Sequence, residues 1–252
     1  MKAIFISVRS ASSRLPNKAY KKIDDNQTTI EYLIQRIKKS VNADKIVLCT
    51  TTKPADDALC DIAKSNGVDY FRGSEDDKLS RWLGAAKQFN VDFIVNADGD
   101  DLFYDPQLAD FCFEQYDKTN ADFIDGSGLY IDIYGIKTSA LEKVCSQKKS
   151  DQTEFVSPFF YKLSEELNVE LLKEVPKKWK KLKIRMTLDY EEDLIFFKET
   201  ITHMKDLKIE QDYENILDFL LKNPYIIDIN WHRETDWTDN QNKTIKTLKQ
   251  II

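Results

Sequence analysis

Short apolar runs rich in β-branched and aromatic residues alternate along this chain with stretches whose apolar positions recur every three or four residues. Such alternation restricts the fold to a parallel or mostly parallel sheet covered by helices. The strand-type runs are residues 3–8, 45–49, 69–71, 91–97 and 121–125. Between the first two, Ile30, Leu33, Ile34 and Ile37 share one helical face, and Thr28 with Glu31 three residues on spells a capping box. A second helix is predicted over 55–66, ending at Gly67, and a third along the face of Leu79, Trp82, Leu83 and Ala86. A fourth follows Pro106, with Leu108, Phe111, Cys112 and Tyr116 turned inward. The regular order then lapses into a strand-like stretch over 129–136, helices from about Ser139 and Thr153, and a strand pair at 169–175 and 183–188. Two closing helices carry Leu194, Phe197, Ile201 and Met204, then Tyr213, Ile216, Leu217 and Leu220. The expected fold class is α/β, a three-layer α/β/α sandwich with a mostly parallel mixed sheet. One domain is expected over 1–252, with a tail at 224–252.

Charge and cysteine usage exclude several functions. With 37 Lys and Arg against 43 Asp and Glu the net charge is −6, which argues against a nucleic-acid partner. Cys49, Cys60, Cys112 and Cys145 form no C-x-x-C pair, so neither a zinc site nor a disulfide framework is indicated; they read as small buried hydrophobes in a reducing compartment. No run approaches the roughly 20 apolar residues of a membrane span, and a cytoplasmic location is expected. Gly occurs 7 times and Pro 6 times, too few for linkers or low-complexity tracts.

Four segments combine chemistry with position. The loop after the first strand, Arg9-Ser10-Ala11-Ser12-Ser13-Arg14-Leu15-Pro16-Asn17-Lys18, leaves a strand's carboxyl end, where open α/β sheets bind ligands, with three cations and three hydroxyls. That mixture suits a polyphosphate, through Arg forks, a Lys point charge and hydroxyl or amide donors; a solvated basic loop is the alternative. Neither a Walker loop nor G-x-G-x-x-G occurs. Asn96-Ala97-Asp98-Gly99-Asp100-Asp101 follows the most apolar strand. Its carboxylates suit Mg²⁺ with substrate phosphates, or form an ordinary Asp-Gly turn. Asp189, within Arg185 to Leu194, reads as a natural helix N-cap. The stretch Phe71 to Arg81 holds Ser74 and Asp77 in an S-x-x-D capping pattern.

In order and wording these segments resemble the CMP-sugar synthetase type of cytidylyltransferase, especially its SpsF-like spore-coat polysaccharide branch. The similarity rests on Arg9 through Lys18, Thr50-Thr51, Phe71-Arg72-Gly73-Ser74 with Asp77 and Arg81, Gly99-Asp100 with Asp105-Pro106, Phe155-Val156-Ser157-Pro158, and Thr187-Leu188-Asp189 with Glu192-Asp193-Leu194. It spans roughly residues 2–197. The resemblance implies a nucleotide-diphospho-sugar transferase-like, Rossmann-like fold and transfer of CMP from CTP to a sugar or sugar-acid acceptor, with pyrophosphate released. It further implies that Arg14 and Lys18 grip the CTP phosphates and that Asp100 and Asp189 hold Mg²⁺. Nucleotide contacts are expected from Arg9, Ser12, Ser13, Thr50 and Asp98, and from Arg72, Ser74 and Arg81 toward nucleotide or acceptor. A homodimer is implied, with the excursion near 154–175 as the expected contact.

Two departures leave the proposed ligands in place. Asn17 stands where the family usually has Gly, and Glu191 where it often has Pro; Asn tolerates the left-handed backbone a Gly would take. Acceptor recognition is less legible, because Tyr130-Ile131-Asp132-Ile133-Tyr134 is acidic and aromatic rather than cationic. Trp231 to Trp237 reads as a lock holding the tail to the domain, and neither His203 nor His232 has a nucleophile partner by spacing. A metal-dependent glycosyltransferase of related fold and a non-catalytic nucleotide-binding protein are the competing readings.

Overall fold

Period-two alternation in the central strands puts apolar side chains on both sides of one sheet. In β1 (Lys2–Ser7), Ile4 and Ile6 face one buried cluster while Ala3 and Phe5 face the other. The same division recurs in β2 (Lys45–Thr51), with Leu48 opposed to Val47 and Cys49. A sheet apolar on both faces must be covered on both faces, which makes three layers. The computed structural model describes residues 1–12, 14–179 and 182–248, with side chains of the last helix described through residue 241.

Among the described residues one seven-stranded sheet is completed by β3 (Asp69–Gly73), β4 (Phe93–Asp98), β5 (Phe123–Asp125), β6 (Tyr134–Lys137) and β7 (Val169–Leu171), in the order β3-β2-β1-β4-β6-β5-β7. β1 pairs in parallel with β2 and β4; β6 runs antiparallel to β4 and β5. The strand order therefore reverses between β1 and β4, and a crevice opens at their carboxyl ends, the usual ligand position in such sheets. Gly99 lets the two ends close up: its amide donates to the Ser7 carbonyl at 2.8 Å, and a Cβ there would lie 2.8 Å from that of Val8.

The larger core cluster is built with α1 (Thr29–Ile37), α2 (Asp57–Ser65), α4 (Pro106–Thr119), α7 (Glu191–Asp206) and α8 (Tyr213–Lys222); the smaller lies under α3 (Lys78–Phe89), α5 (Thr138–Gln147) and α6 (Ser157–Tyr161). The predicted apolar stripe of α1 is fully buried, worth roughly 1.5–3 kcal/mol per side chain, and its capping box forms between Thr28 and Glu31. Cys49, Cys60 and Cys112 are buried free thiols; Cys145 is half-buried. Two further helices, α9 (Pro224–Trp231) and α10 (Arg233–Leu248), carry the tail. No described helix is long and apolar enough to cross a membrane.

The irregular part departs from expectation for identifiable reasons. Residues 129–133 do not join the strand, because Tyr130 leaves the sheet to stack on Tyr213 at 3.5 Å between ring centroids. β7 ends at Leu171, and Glu174 takes the left-handed conformation at φ 59°. The segment 183–188 alternates as a strand should, with Ile184, Met186 and Leu188 buried, yet forms no ladder. Arg185 in it bonds instead to Asp193 of α7 and, through its carbonyl, to Asn230 of α9, and one backbone bond, Leu188 N to the Asp100 carbonyl at 2.9 Å, ties the segment to the end of β4. The helix expected from Thr153 starts at Ser157, since the Thr153 hydroxyl is engaged by Asp77 and by the Leu79 amide.

Candidate active site

Two fixtures set the path of the loop leaving β1. Asp56, buried before α2, accepts the Ser10 amide at 2.7 Å and both the amide and hydroxyl of Thr51. Burial acts against its charge, but these hydrogen bonds outweigh burial and hold the carboxyl below its usual range. At the far end Asn17 takes the left-handed backbone, φ 56° and ψ 29°, a conformation Asn tolerates better than most residues with a Cβ.

Lys18 opens a single 3₁₀ turn beyond Asn17 and reaches across the crevice. Its Nζ lies 2.7 Å from Asp100 Oδ2, 3.1 Å from Asp189 Oδ1 and 2.8 Å from the Leu188 carbonyl. Arg14 Nη2 contacts the same Asp189 Oδ1 at 2.7 Å. Three segments more than eighty residues apart in pairs thus converge on one point. Burial works against the Lys18 charge, yet Asp100 and Asp189 overcome it and raise its pKa. Asp189 is likewise opposed by burial and then held low by Lys18 and Arg14. The N-cap reading of Asp189 is corrected by this geometry. Tyr190 occupies the N-cap position of α7, and Asp193 accepts the amides of Asp189 and Tyr190 at 2.8 and 2.9 Å, which frees the Asp189 carboxylate for the crevice.

A second cationic group lies beside the first. Lys78, first residue of α3, is buried and pairs with Asp98 Oδ1 at 2.6 Å, with Glu154 Oε1 at 3.9 Å and the Trp82 ring centroid at 5.2 Å. Arg9 and Arg81 share the Glu75 carbonyl, at 3.2 and 3.4 Å. Glu154 is held below its usual range by Lys78, against burial, with Arg9, Arg81 and Lys18 adding to the pull. Asp101, among Asp100, Asp98 and Asp132, has its carboxyl pushed well up by burial and then by those neighbours.

The remaining predicted residues are placed differently. Arg72 is turned to the loop before α2, on the Thr51 and Lys53 carbonyls at 2.8 and 2.7 Å and on Asp57 at 2.6 Å. Ser74 Oγ accepts the Asp77 amide, and the α3 N-cap is Asp77. Thr50 is buried near the end of β2, and Ser12 Oγ accepts the Leu15 amide at 3.3 Å. Ser13 lies outside the described residues. Sequence reasoning missed Asp56, Lys78, Glu154 and Arg185; the one legible signal was Lys78, a lysine at the first position of a helix whose dipole disfavours it.

Mg²⁺ is usually bound by one or two carboxylates together with substrate phosphates. Asp100 and Asp189 fit that donor set, because their oxygens already converge on one cation, the Lys18 ammonium. No group of three or more acidic, His or Cys side chains among the described residues could hold an ion alone, so substrate oxygens would complete the shell.

Residues 3–226 match the family model described as cytidylyltransferase. An uncharacterized protein of Methanocaldococcus jannaschii is 36% identical over 228 residues, covering 89% of this chain and 92% of that protein. The spore coat polysaccharide biosynthesis protein SpsF of Bacillus subtilis is 27% identical over 207 residues, covering 75% and 81%. A solved cytidylyltransferase from Leptospira borgpetersenii superposes with TM-score 0.80 at 29% identity, over 90% of this chain and 96% of its own.

Proposed function

Because the chain belongs to the cytidylyltransferase family and is a nucleotidyltransferase of the CMP-sugar synthetase type, we propose that the crevice between β1 and β4 transfers CMP from CTP to a hydroxyl of a sugar or sugar-acid acceptor for surface polysaccharide or glycan synthesis. The observation that carries this reading is the convergence of Arg14, Lys18, Asp100 and Asp189 on one point at the switch of strand order.

In the proposed reaction the acceptor oxygen attacks the α-phosphorus of CTP, its P–O bond forms as the bond to pyrophosphate breaks, and the hydroxyl proton passes to solvent or a neighbouring base. Arg14 offers a planar fork and Lys18 a point charge to the phosphate oxygens, stabilising the negative charge that gathers on the leaving group. Asp100 and Asp189 are the residues that would hold Mg²⁺, which when bound supplies Lewis-acid neutralisation of the phosphates. Asp56 and Asn17 fix the loop that carries the two cations, so most of the catalysis is positioning. Lys78, Arg81 and Arg9 form a second cationic group beside Arg14 and Lys18, balanced by Asp98 and Glu154.

The test is pyrophosphate release from CTP over a panel of sugars and sugar acids with Mg²⁺. Asp100→Ala and Asp189→Ala are expected to lose turnover by about 10²–10³ with circular dichroism unchanged; full activity in either variant removes the metal assignment. We further infer a single catalytic domain that forms a homodimer through residues 154–175, a reading supported by edge strand β7, where Leu171 is 63% exposed. Light scattering of Leu171→Asp is expected to report a monomer, and a monomer for the unsubstituted chain at micromolar concentration overturns the dimer.

A further inference from the structure

The tail beyond residue 226 lies past the segment that the family model matches, yet it enters the site. Asn230, on α9, is fully buried and donates its Nδ2 to the Arg185 carbonyl at 3.1 Å and to Asp193 Oδ1 at 2.9 Å. Asp193 is the residue whose other oxygen fixes the Asp189 and Tyr190 amides. Arg185 grips both oxygens of Asp193, at 2.8 and 3.0 Å, and its Nη2 lies 3.5 Å from Asp189 Oδ2. From α10, Glu234 contacts Arg185 Nη1 at 3.4 Å, and the Trp237 ring centroid lies 5.8 Å from the guanidinium.

Both groups facing Asn230 Nδ2 are acceptors, so the amide orientation is dictated by its partners. Its Oδ1, by contrast, has no hydrogen-bond partner within the described structure. A leucine of similar size would leave no such buried polar atom, so packing alone does not account for an asparagine here; its two donors do. We propose that Asn230 is a positioning residue for Asp189: acting through Asp193 and Arg185, the tail sets the backbone and carboxylate of the residue read above as a metal ligand. The inference rests on that reading. Groups behind a ligand that fix its orientation commonly matter tenfold or more to metal affinity.

The experiment titrates Mn²⁺ by electron paramagnetic resonance into the full chain holding a non-hydrolysable CTP analogue, and follows turnover against metal concentration. Asn230→Leu is expected to weaken Mn²⁺ about tenfold and to raise the KM for metal. Maximal turnover at saturating metal should stay within a few-fold, and nucleotide affinity without metal within twofold. A merely structural role would lower stability and leave the metal dependence of the folded fraction unchanged. Glu234→Gln, at a side chain 24% exposed, reads the same coupling should Asn230→Leu not fold, with an expected weakening of about threefold. Metal dependence in Glu234→Gln, and in Asn230→Leu if folded, equal to that of the unsubstituted protein overturns the proposal while Asp189→Asn still loses Mn²⁺ binding. Unchanged Mn²⁺ binding in Asp189→Asn removes the metal assignment and this inference with it.

Discussion

Lys18 is 14% exposed at its side chain and lies between Asp100 and Asp189, the second of which is 2% exposed. Deleting its charge leaves two neighbouring carboxylates with less compensation, so Lys18→Met is expected to lower unfolding stability by about 1–3 kcal/mol, discounted from the value for fully buried pairs because Asp100 is partly solvated. Added Mg²⁺ should recover part of that loss in urea titrations, and no recovery would deny that the two carboxylates share a cation. The pH dependence has a definite sign. The Asp189 pKa is depressed on folding, so its contribution is present above the unfolded value near 3.9 and is lost as pH falls through the lower folded value. Lys18 is raised, so its contribution is complete below about 10.5 and is lost only as pH rises through the higher folded value. Melting temperature in Asp189→Asn should therefore fall less steeply toward acid than in the parent. Asn17 was legible from sequence as a left-handed position, and Asn17→Gly is expected to be near neutral whereas Asn17→Ala costs about 1 kcal/mol in the same titrations. Asp189 was legible as a site residue only through resemblance, because an Asp ahead of a helix satisfies ordinary capping rules; that Asp193 supplies the backbone contacts instead depends on Arg185 and Asn230, which sequence spacing does not bring together.

At the scale of elements, α1 to α4, α7 and α8 could be read from periodicity because each buries a regular face, whereas α9 and α10 fell in what the sequence showed only as a tail. The segment 183–188 shows where that logic fails: alternation picks out its buried apolar side chains, but neither the equally buried Arg185 between them nor whether a neighbouring backbone offers a ladder. Here the neighbours are the loop after β4 and the tail, so the segment is held by Lys18, Asn230 and one bond to Asp100. The start of α3 was legible as a capping pattern but not its reach. Asp77 accepts the Ser80 amide at 3.1 Å and the Thr153 hydroxyl at 3.0 Å and pairs with Lys148 at 2.6 Å, so one carboxylate joins α3 to the chain before α6. Asp77→Ala is expected to cost about 2–4 kcal/mol, more than a cap alone, because the Thr153 hydroxyl loses its acceptor and Lys148 keeps only Asp151 as a carboxylate partner. A chemical denaturation difference below 1 kcal/mol would reduce Asp77 to a cap.

For the whole molecule, the net charge of −6 coexists with a cluster of cations at the crevice: Arg9, Arg14 and Lys18 from the loop after β1 and Lys78 and Arg81 from α3 meet only in the fold, where Asp98, Asp100, Glu154 and Asp189 face them. A ligand that bridges these parts binds the folded chain alone, so CTP with Mg²⁺ at a hundredfold excess over its dissociation constant should add about 2.7 kcal/mol to apparent stability, visible as a thermal shift absent with cytidine. The thiols have a practical corollary. Burial pushes Cys49 up to about 12 and Cys145 up to about 11, and raises Cys60 and Cys112 as well, which disfavours the thiolate that alkylation needs, and Cys49, Cys60 and Cys112 are also buried from reagent. A cysteine introduced at Val41, 83% exposed, is expected to take a maleimide dye faster than the native thiols, giving a label for fluorescence work with every native side chain of the crevice intact.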